Sequence, residues 1–205
     1  MRNKILMVSL IMSYNVVKSQ SHGGFEQYYY AGRGMSAIVP KIYYETQHHW
    51  YGEVRYNYEQ LQTVSFNAGK TFLHKKLLSY SVTPFAGLVL GRLTGETIGL
   101  NMKVDYKSWF FSFESQYTFS PKRKATNFFF NWSECGYELN GCIYTGVALQ
   151  LTRPFEVKSN WQPGVMMALM YKSWTFPVYV FNPAGNNPNF VVGINWEWKY
   201  GEERK

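Results

Sequence analysis

At 205 residues with a formal net charge of +8, the chain is sized for one domain. Aromatic residues make up 19% of it while mean hydropathy is -0.30, so its rings must be interleaved with polar residues rather than gathered in one apolar block. No segment approaches the ~18 continuous apolar residues of a membrane helix, and Lys and Arg form no basic stripe, which argues against a helical membrane protein and a nucleic-acid binder.

The chain opens as a secretory signal. Arg2 and Lys4 make a basic start, Ile5 to Met12 a short apolar run, and Val17-Lys18-Ser19 a cleavage site before Gln20. The reading sets residues 1–19 apart as signal peptide and leaves 20–205 as one β-barrel domain. A buried first strand is the alternative. With Arg2, Lys4 and Lys18 gone the net charge falls from +8 to +5, so part of the basic excess is export signal.

Strands follow one another from there. A weaker one is predicted at 25–32, then others at 36–47, 50–58, 63–72, 80–91, 96–106, 109–119, 127–137, 142–152, 163–172, 173–182 and 190–200. The clearest is 96–106, where Ile98, Leu100, Met102, Val104 and Tyr106 share one face and Thr97, Gly99, Asn101, Lys103 and Asp105 the other. The same period-two pattern puts Trp109, Phe111, Phe113, Tyr117 and Phe119 on one face of the next strand, and Phe190, Val192, Ile194, Trp196, Trp198 and Tyr200 on one face of the last.

Every second connection is short: Gln47-His49, Leu73-Ser79, Lys107-Ser108, Glu138-Gly141 and Lys172-Ser173. Those between them, such as Ser120-Thr126, Arg153-Trp161 and Asn182-Asn189, are mostly longer and richer in Pro, Asn and charge. Short turns facing longer loops is the asymmetry of an outer-membrane barrel. The fold class read from this is all-β: a closed antiparallel up-and-down transmembrane β-barrel of about twelve strands, with ten or eight left open. A soluble barrel would share the alternation but turn its apolar face inward. Rings at strand ends (Trp50, Tyr58, Tyr80, Trp109, Trp174, Trp198) match interfacial girdles, and glycines on the other face (Gly69, Gly87, Gly91, Gly99, Gly146, Gly193) suit a lumen better than a water-exposed surface.

Three stretches carry a family likeness: KIYYETQHHWYGEVRYNYEQLQTVSFNAGKTF at 41–72, NFFFNWSECGY at 127–137 and FPVYVFNP at 176–183. They resemble an uncharacterised family of bacterial outer-membrane β-barrel proteins, and the likeness extends over most of the chain after residue 19. It implies the barrel and an outer-membrane location, and no activity. Barrels of this kind commonly end on an aromatic residue, whereas here Tyr200 is followed by Gly201-Glu202-Glu203-Arg204-Lys205.

Function is sought on the inner face. The register assigns Lys41, Glu45, Glu53, Arg55, Lys103, Asp105, Glu114, Lys172, Glu197 and Lys199 to the lumen lining, with Tyr43, Tyr51 and Tyr144 beside them. These charges nearly cancel. They read either as pairs bracing the wall or as the lining of a narrow, weakly selective channel for small polar solutes. Cys135 and Cys142 would lie opposite each other if Glu138-Leu139 centred their hairpin, close enough for a disulfide in an exported protein, though one residue of slip would part them. His48 and His49 with Glu45 carry zinc-ligand chemistry but read as turn residues, since neighbours on a strand end point to opposite faces. Lys122-Arg123-Lys124 reads as a solvated turn or a contact with lipopolysaccharide.

A lipid hydrolase would need Ser, His and a third polar group together on the outer face, and the positions assigned there near a His are apolar. No enzyme, cofactor or metal is therefore expected. The partners expected are outer-membrane lipid and lipopolysaccharide and the outer-membrane assembly machinery. Two functions stay open: a structural or surface-interaction barrel with short loops, and the small porin-like channel. Phe113→Arg is expected to impair assembly and Gln116→Arg to be tolerated.

Overall fold

A computed structural model describes residues 20–32, 35–121, 127–154, 159–185 and 187–200. The proposed signal peptide, Lys122-Arg123-Lys124, part of the Arg153-Trp161 loop and the tail after Tyr200 lie outside the described residues.

The strands are β1 (Ser21–Gly32), β2 (Met35–Glu45), β3 (Trp50–Tyr56), β4 (Thr63–Lys70), β5 (Phe72–His74), β6 (Leu78–Gly91), β7 (Gly95–Tyr106), β8 (Trp109–Phe119), β9 (Phe128–Asn140), β10 (Ile143–Pro154), β11 (Asn160–Tyr171), β12 (Trp174–Phe181) and β13 (Asn189–Tyr200). β4 and β5 are one strand interrupted at Thr71, whose backbone N–H turns to donate to His49 O at 2.9 Å. Both pair with β6. Every strand pairs antiparallel with its sequence neighbour and β13 returns to β1, from Ser21 opposite Tyr200 to Ala31 opposite Phe190. The result is a closed barrel of twelve strands, the larger of the expected counts. β1 is longer than the weak 25–32 signal implied, because Gly23 and Gly24 dilute the pattern in a segment that pairs on both sides.

The end where β1 begins and β13 finishes, here the proximal end, carries Thr46–His49, Lys75–Leu77, Lys107–Ser108, Gly141–Cys142 and Lys172–Ser173 as its turns. The longer connections lie at the distal end. The apolar face is the outer one. Ile38, Ile42, Phe66, Leu88, Ile98, Val147, Val165 and Met167 are each about half exposed there although they sit mid-strand. Ser115, Asn131 and Ser133 interrupt that face, and their polarity is absorbed locally: Asn131 Nδ2 donates to Glu114 O at 3.2 Å, and Ser133 Oγ donates to Asn131 Oδ1 at 2.9 Å.

The hairpin of β9 and β10 corrects one expectation. Its turn is Gly141-Cys142, not Glu138-Leu139, so Cys135 stands opposite Val147 while Cys142 sits in the turn. Both thiols are free and exposed. Cys142 N–H donates to Asn140 Oδ1 at 3.0 Å and pins the turn in this register. The two-residue Asn140-Gly141-Cys142-Ile143 connection prevails over the longer one the spacing of the cysteines suggested.

The facing of the wall predicts an asymmetry. In lipid vesicles Val165→Arg should lower stability by roughly 2–4 kcal/mol, the range for a cation at mid-depth on a barrel's outer face. Ser112→Arg, on the inner face beside Glu134, should cost far less. Equilibrium urea unfolding of the two variants checks this, and equal losses would reverse the assigned faces.

Candidate functional site: a tied and filled lumen

The inner face is built on small-against-large pairs. A side chain added at Gly24 would meet the Tyr43 ring at 2.5 Å, and one at Gly164 the Phe181 ring at 2.7 Å; Gly99 lies under Phe85 in the same way. Of the glycines read from the sequence as lumen residues, Gly99 and Gly193 make room for rings in this way, the second for Tyr28, while Gly69, Gly87 and Gly146 lie against backbone or the Asn67 amide. Gly91 is different: it ends β6 at a φ of 127°, a conformation side chains avoid.

On one side of the lumen those rings border a charged network. Arg55, on β3, is wholly buried. Its Nη2 lies 2.5 Å from Glu53 Oε1 and its Nη1 2.9 Å from Glu114 Oε1, while Nη1 also donates to Gln116 Oε1 at 2.8 Å. Glu114 and Gln116 belong to β8, so these contacts tie parts of the wall that are not neighbours in the sheet. Lys41, on β2, lies 2.9 Å from Glu26 and 3.6 Å from Glu114. Glu53 also accepts from Tyr51 OH at 2.7 Å and from Asn67 Nδ2 at 3.1 Å. Carboxylates buried with this many donors are the form in which ions survive out of bulk water.

The connection from β3 to β4 folds into this network. Tyr58 donates its hydroxyl to Glu114, sets its ring 4.2 Å from the Arg55 guanidinium carbon, and meets Phe130 edge-on at 5.3 Å. Asn57 and Gln62, at its two ends, adopt φ of 58° and 60°, and Gln62 N–H donates to Asn57 Oδ1 at 2.7 Å, closing the neck. Glu59 accepts from Gln116 Nε2 at 3.4 Å. Burial raises its pKa above the ordinary carboxyl value, with Arg55 pulling the other way.

The other side of the lumen is aromatic. Trp132 packs against Tyr179 at 5.0 Å and Phe181 at 5.1 Å between centroids, and Ala148, Met166 and Val191 complete a buried cluster. Its polar edge is Glu134, which accepts from Trp132 Nε1 at 2.6 Å, Tyr179 OH at 2.8 Å and Ser112 Oγ at 3.3 Å. Tyr28 joins the two sides, donating to Glu26 Oε2 at 3.4 Å and accepting from Asn195 Nδ2 at 3.2 Å.

Of the residues expected to line the lumen, Lys41, Glu53, Arg55 and Glu114 meet in one network. Lys103, Asp105, Glu197 and Lys199 stand apart from it at the proximal mouth, where they are exposed; Glu197 accepts from Tyr43 OH at 3.1 Å. Glu45 forms a separate group at that end, 2.8 Å from His49 Nδ1, 4.0 Å from His22 Nε2, and accepting from Thr71 Oγ1 at 2.7 Å. Lys172 does not line the lumen. It occupies the turn between β11 and β12, with its ammonium 5.3 Å from the Tyr171 ring centroid. The run it closes keeps alternating up to Tyr171, and the hairpin reverses one residue sooner than the predicted boundary.

Glu26 and Glu134 were not singled out in the sequence, and Tyr58, read there as a girdle ring at a strand end, lies beyond β3 and turns into the lumen instead. Glu26 lies in the weak first strand, and Glu134 follows the FFFNW run, which has no alternation to show its facing. Gln116 also overturns an expectation: accepting from Arg55, it leaves no room for a second guanidinium, so Gln116→Arg would not be tolerated.

No protein-family model matches the sequence, and no curated protein matches it. Solved structures do. The barrel is similar to that of the NanC porin, with a TM-score of 0.60 and 12% identity over 85% of this chain and 98% of that one. It is also similar to the KdgM porin, at 0.58 and 12% over 84% and 98%. The KdgM porin in complex with disordered oligogalacturonate gives 0.57 and 11%. The fold is that of a porin-type barrel. At such identities the likeness is one of fold.

Two outcomes follow. Arg55→Ala leaves Glu53 buried without its cation, while Glu114 keeps Lys41, and should destabilise the barrel by roughly 3–5 kcal/mol, with Arg55→Met, Glu53→Gln together recovering much of the loss; urea unfolding in vesicles measures both. Because the raised pKa of Glu59 favours its protonated form in the docked loop, docking of 57–62 is strongest in acid and weakens as pH rises through that pKa. Hydrogen exchange of those amides, corrected for intrinsic rates, should show this loss in the native chain and not in Glu59→Gln.

Proposed function

We propose that the chain is a bacterial outer-membrane β-barrel whose lumen is shut by its own side chains, serving as a structural or surface-interaction barrel rather than an open pore. The observation that carries this reading is the burial of Arg55, which reaches across the lumen to β8 with no exposed surface. Thr63, Ser65 and Thr118 on the inner face are equally inaccessible, as is Phe181 on the aromatic side. In an open water-filled lumen these side chains would be wet. The apolar outer face and the porin-type fold support the membrane setting, where the barrel would meet lipid and lipopolysaccharide after insertion by the assembly machinery.

A second reading, a small weakly selective diffusion channel, is favoured by the exposed Lys103, Asp105, Glu197 and Lys199 at the proximal mouth and by the porins the fold resembles. It requires the central network to part. A polyanion such as the oligogalacturonate of the KdgM complex would find Lys41 and Arg55 each already held between two carboxylates.

Planar-bilayer recording of residues 20–205, folded as judged by heat-modifiable gel mobility, should be silent. Discrete conductance steps from the native sequence would overturn the shut barrel in favour of the channel.

A further inference from the structure

Acidic and basic side chains are sorted between the two sides of the wall. Glu26, Glu53, Glu114 and Glu134 face the lumen, and at the proximal mouth Asp105 and Glu197 do as well. Among the described residues, the carboxylate on the outer face is Glu96, paired with outward Leu88 at the distal end. Among the described residues, the outer side and turns of the proximal end carry instead Lys70, Lys75, Lys76, Lys107 and Lys172 and no acid; Glu138, whose N–H donates to Ser108 O at 2.8 Å beside the Lys107 turn, pairs with lumen-facing Tyr144.

Two of these lysines occur in a repeated four-residue sequence. Tyr106-Lys107-Ser108-Trp109 and Tyr171-Lys172-Ser173-Trp174 each form a two-residue hairpin in which Tyr and Trp are directly paired. In both the Lys adopts a positive φ, 54° and 55°, at the turn position where Gly or Asn is unstrained. In both its ammonium lies over the preceding tyrosine ring, 5.4 Å and 5.3 Å from the centroid. A third pair repeats the chemistry without the turn: Lys70 stands opposite Trp50, its ammonium 4.9 Å from the ring. The rings are exposed, Trp50 to 62% and Tyr171 to 65%, which is the setting of an interfacial girdle. A strained residue kept twice at one height points to a use for its charge.

We propose that this proximal ring of lysines on aromatic rings binds anionic phospholipid headgroups in the leaflet at that end, preferring them to zwitterionic ones. The inference rests on the membrane-barrel reading. A lysine close to an anionic surface is drawn to it with about a fivefold preference at low salt, and the attraction fades with added salt. The rings fix the depth at which the ammonium groups meet the phosphates, and moving the carboxylates to the lumen keeps like charge away from the headgroups.

The test uses the barrel in nanodiscs holding equal phosphatidylglycerol and phosphatidylcholine of one chain length, with co-purifying lipids counted by native mass spectrometry. The native chain should retain phosphatidylglycerol severalfold over its share, less so at high salt. Lys70→Gln, Lys107→Asn, Lys172→Asn combined should bring retention close to the bulk ratio; Asn suits the turn conformation, so the fold is kept. Lys103→Gln, at the same end but facing the lumen, should change nothing. Equal enrichment in the native and triple-variant chains, or none in the native chain, overturns the proposal. Absence of a folded, heat-modifiable band in either lipid would instead bring down the membrane-barrel reading, and the proposal with it.

Discussion

The constraint on which the molecule depends is backbone hydrogen bonding in a sheet with an apolar exterior. In hydrocarbon no water is at hand for an open edge, so the sheet must close on itself. Closure happens twice over here: β13 returns to β1 along nearly its full length, and the strand broken at Thr71 keeps β6 paired on both sides of the break. Once the ladder is complete, the pleat decides everything else. Each side chain points out or in, and the two populations meet different physics.

Inside, the question is how a lumen can be filled without stranding charge. The answer is a division of the cross-section. Arg55 and Lys41 share the carboxylates of Glu26, Glu53 and Glu114 on one side, and Trp132, Tyr179 and Phe181 stack on the other, with Tyr28 and Glu26 as the seam. Glycines such as Gly24 and Gly164 give the rings their space. On the proposed reading a porin-type wall encloses something closer to a core than a channel, so likeness to porins and a shut lumen are compatible. Outside, rings and lysines gather at the proximal end while acids withdraw, so the same alternation that fills the barrel also sets its surface charge.

How much of this was legible follows from where the period-two signal is clean. Ile98 to Tyr106 alternates without fault and Phe190 to Tyr200 does so apart from the inward Val191, and their strands and facing could be read directly. The network residues Lys41, Glu53, Arg55 and Glu114 were placed on the inner face for the same reason. The signal fails where chemistry is monotone or local geometry decides. Phe128 to Trp132 offers an apolar residue at nearly every position, which hid Glu134 and its cluster. The turn at Gly141-Cys142 is chosen by an Asn140 bond that no periodicity records, so the two cysteines were misaligned. Tyr58, read as the outward end of a strand, lies in a connection instead, and only the fold shows that it turns inward. That Gly99 and Gly193 mark ring sites rather than open space required seeing what each one faces.

Thiol accessibility in lipid vesicles tests the shut membrane barrel most directly. Single cysteines would be placed by Thr118→Cys in the filled lumen, Lys103→Cys at the proximal mouth and Phe66→Cys on the outer face, in a chain carrying Cys135→Ser and Cys142→Ser. A small water-soluble maleimide should label the mouth position rapidly and the other two scarcely, while a lipid-soluble one should reach the outer-face position. Rapid aqueous labelling at position 118 would mean a water-filled lumen, and aqueous labelling at position 66 would mean that the apolar face does not lie in lipid.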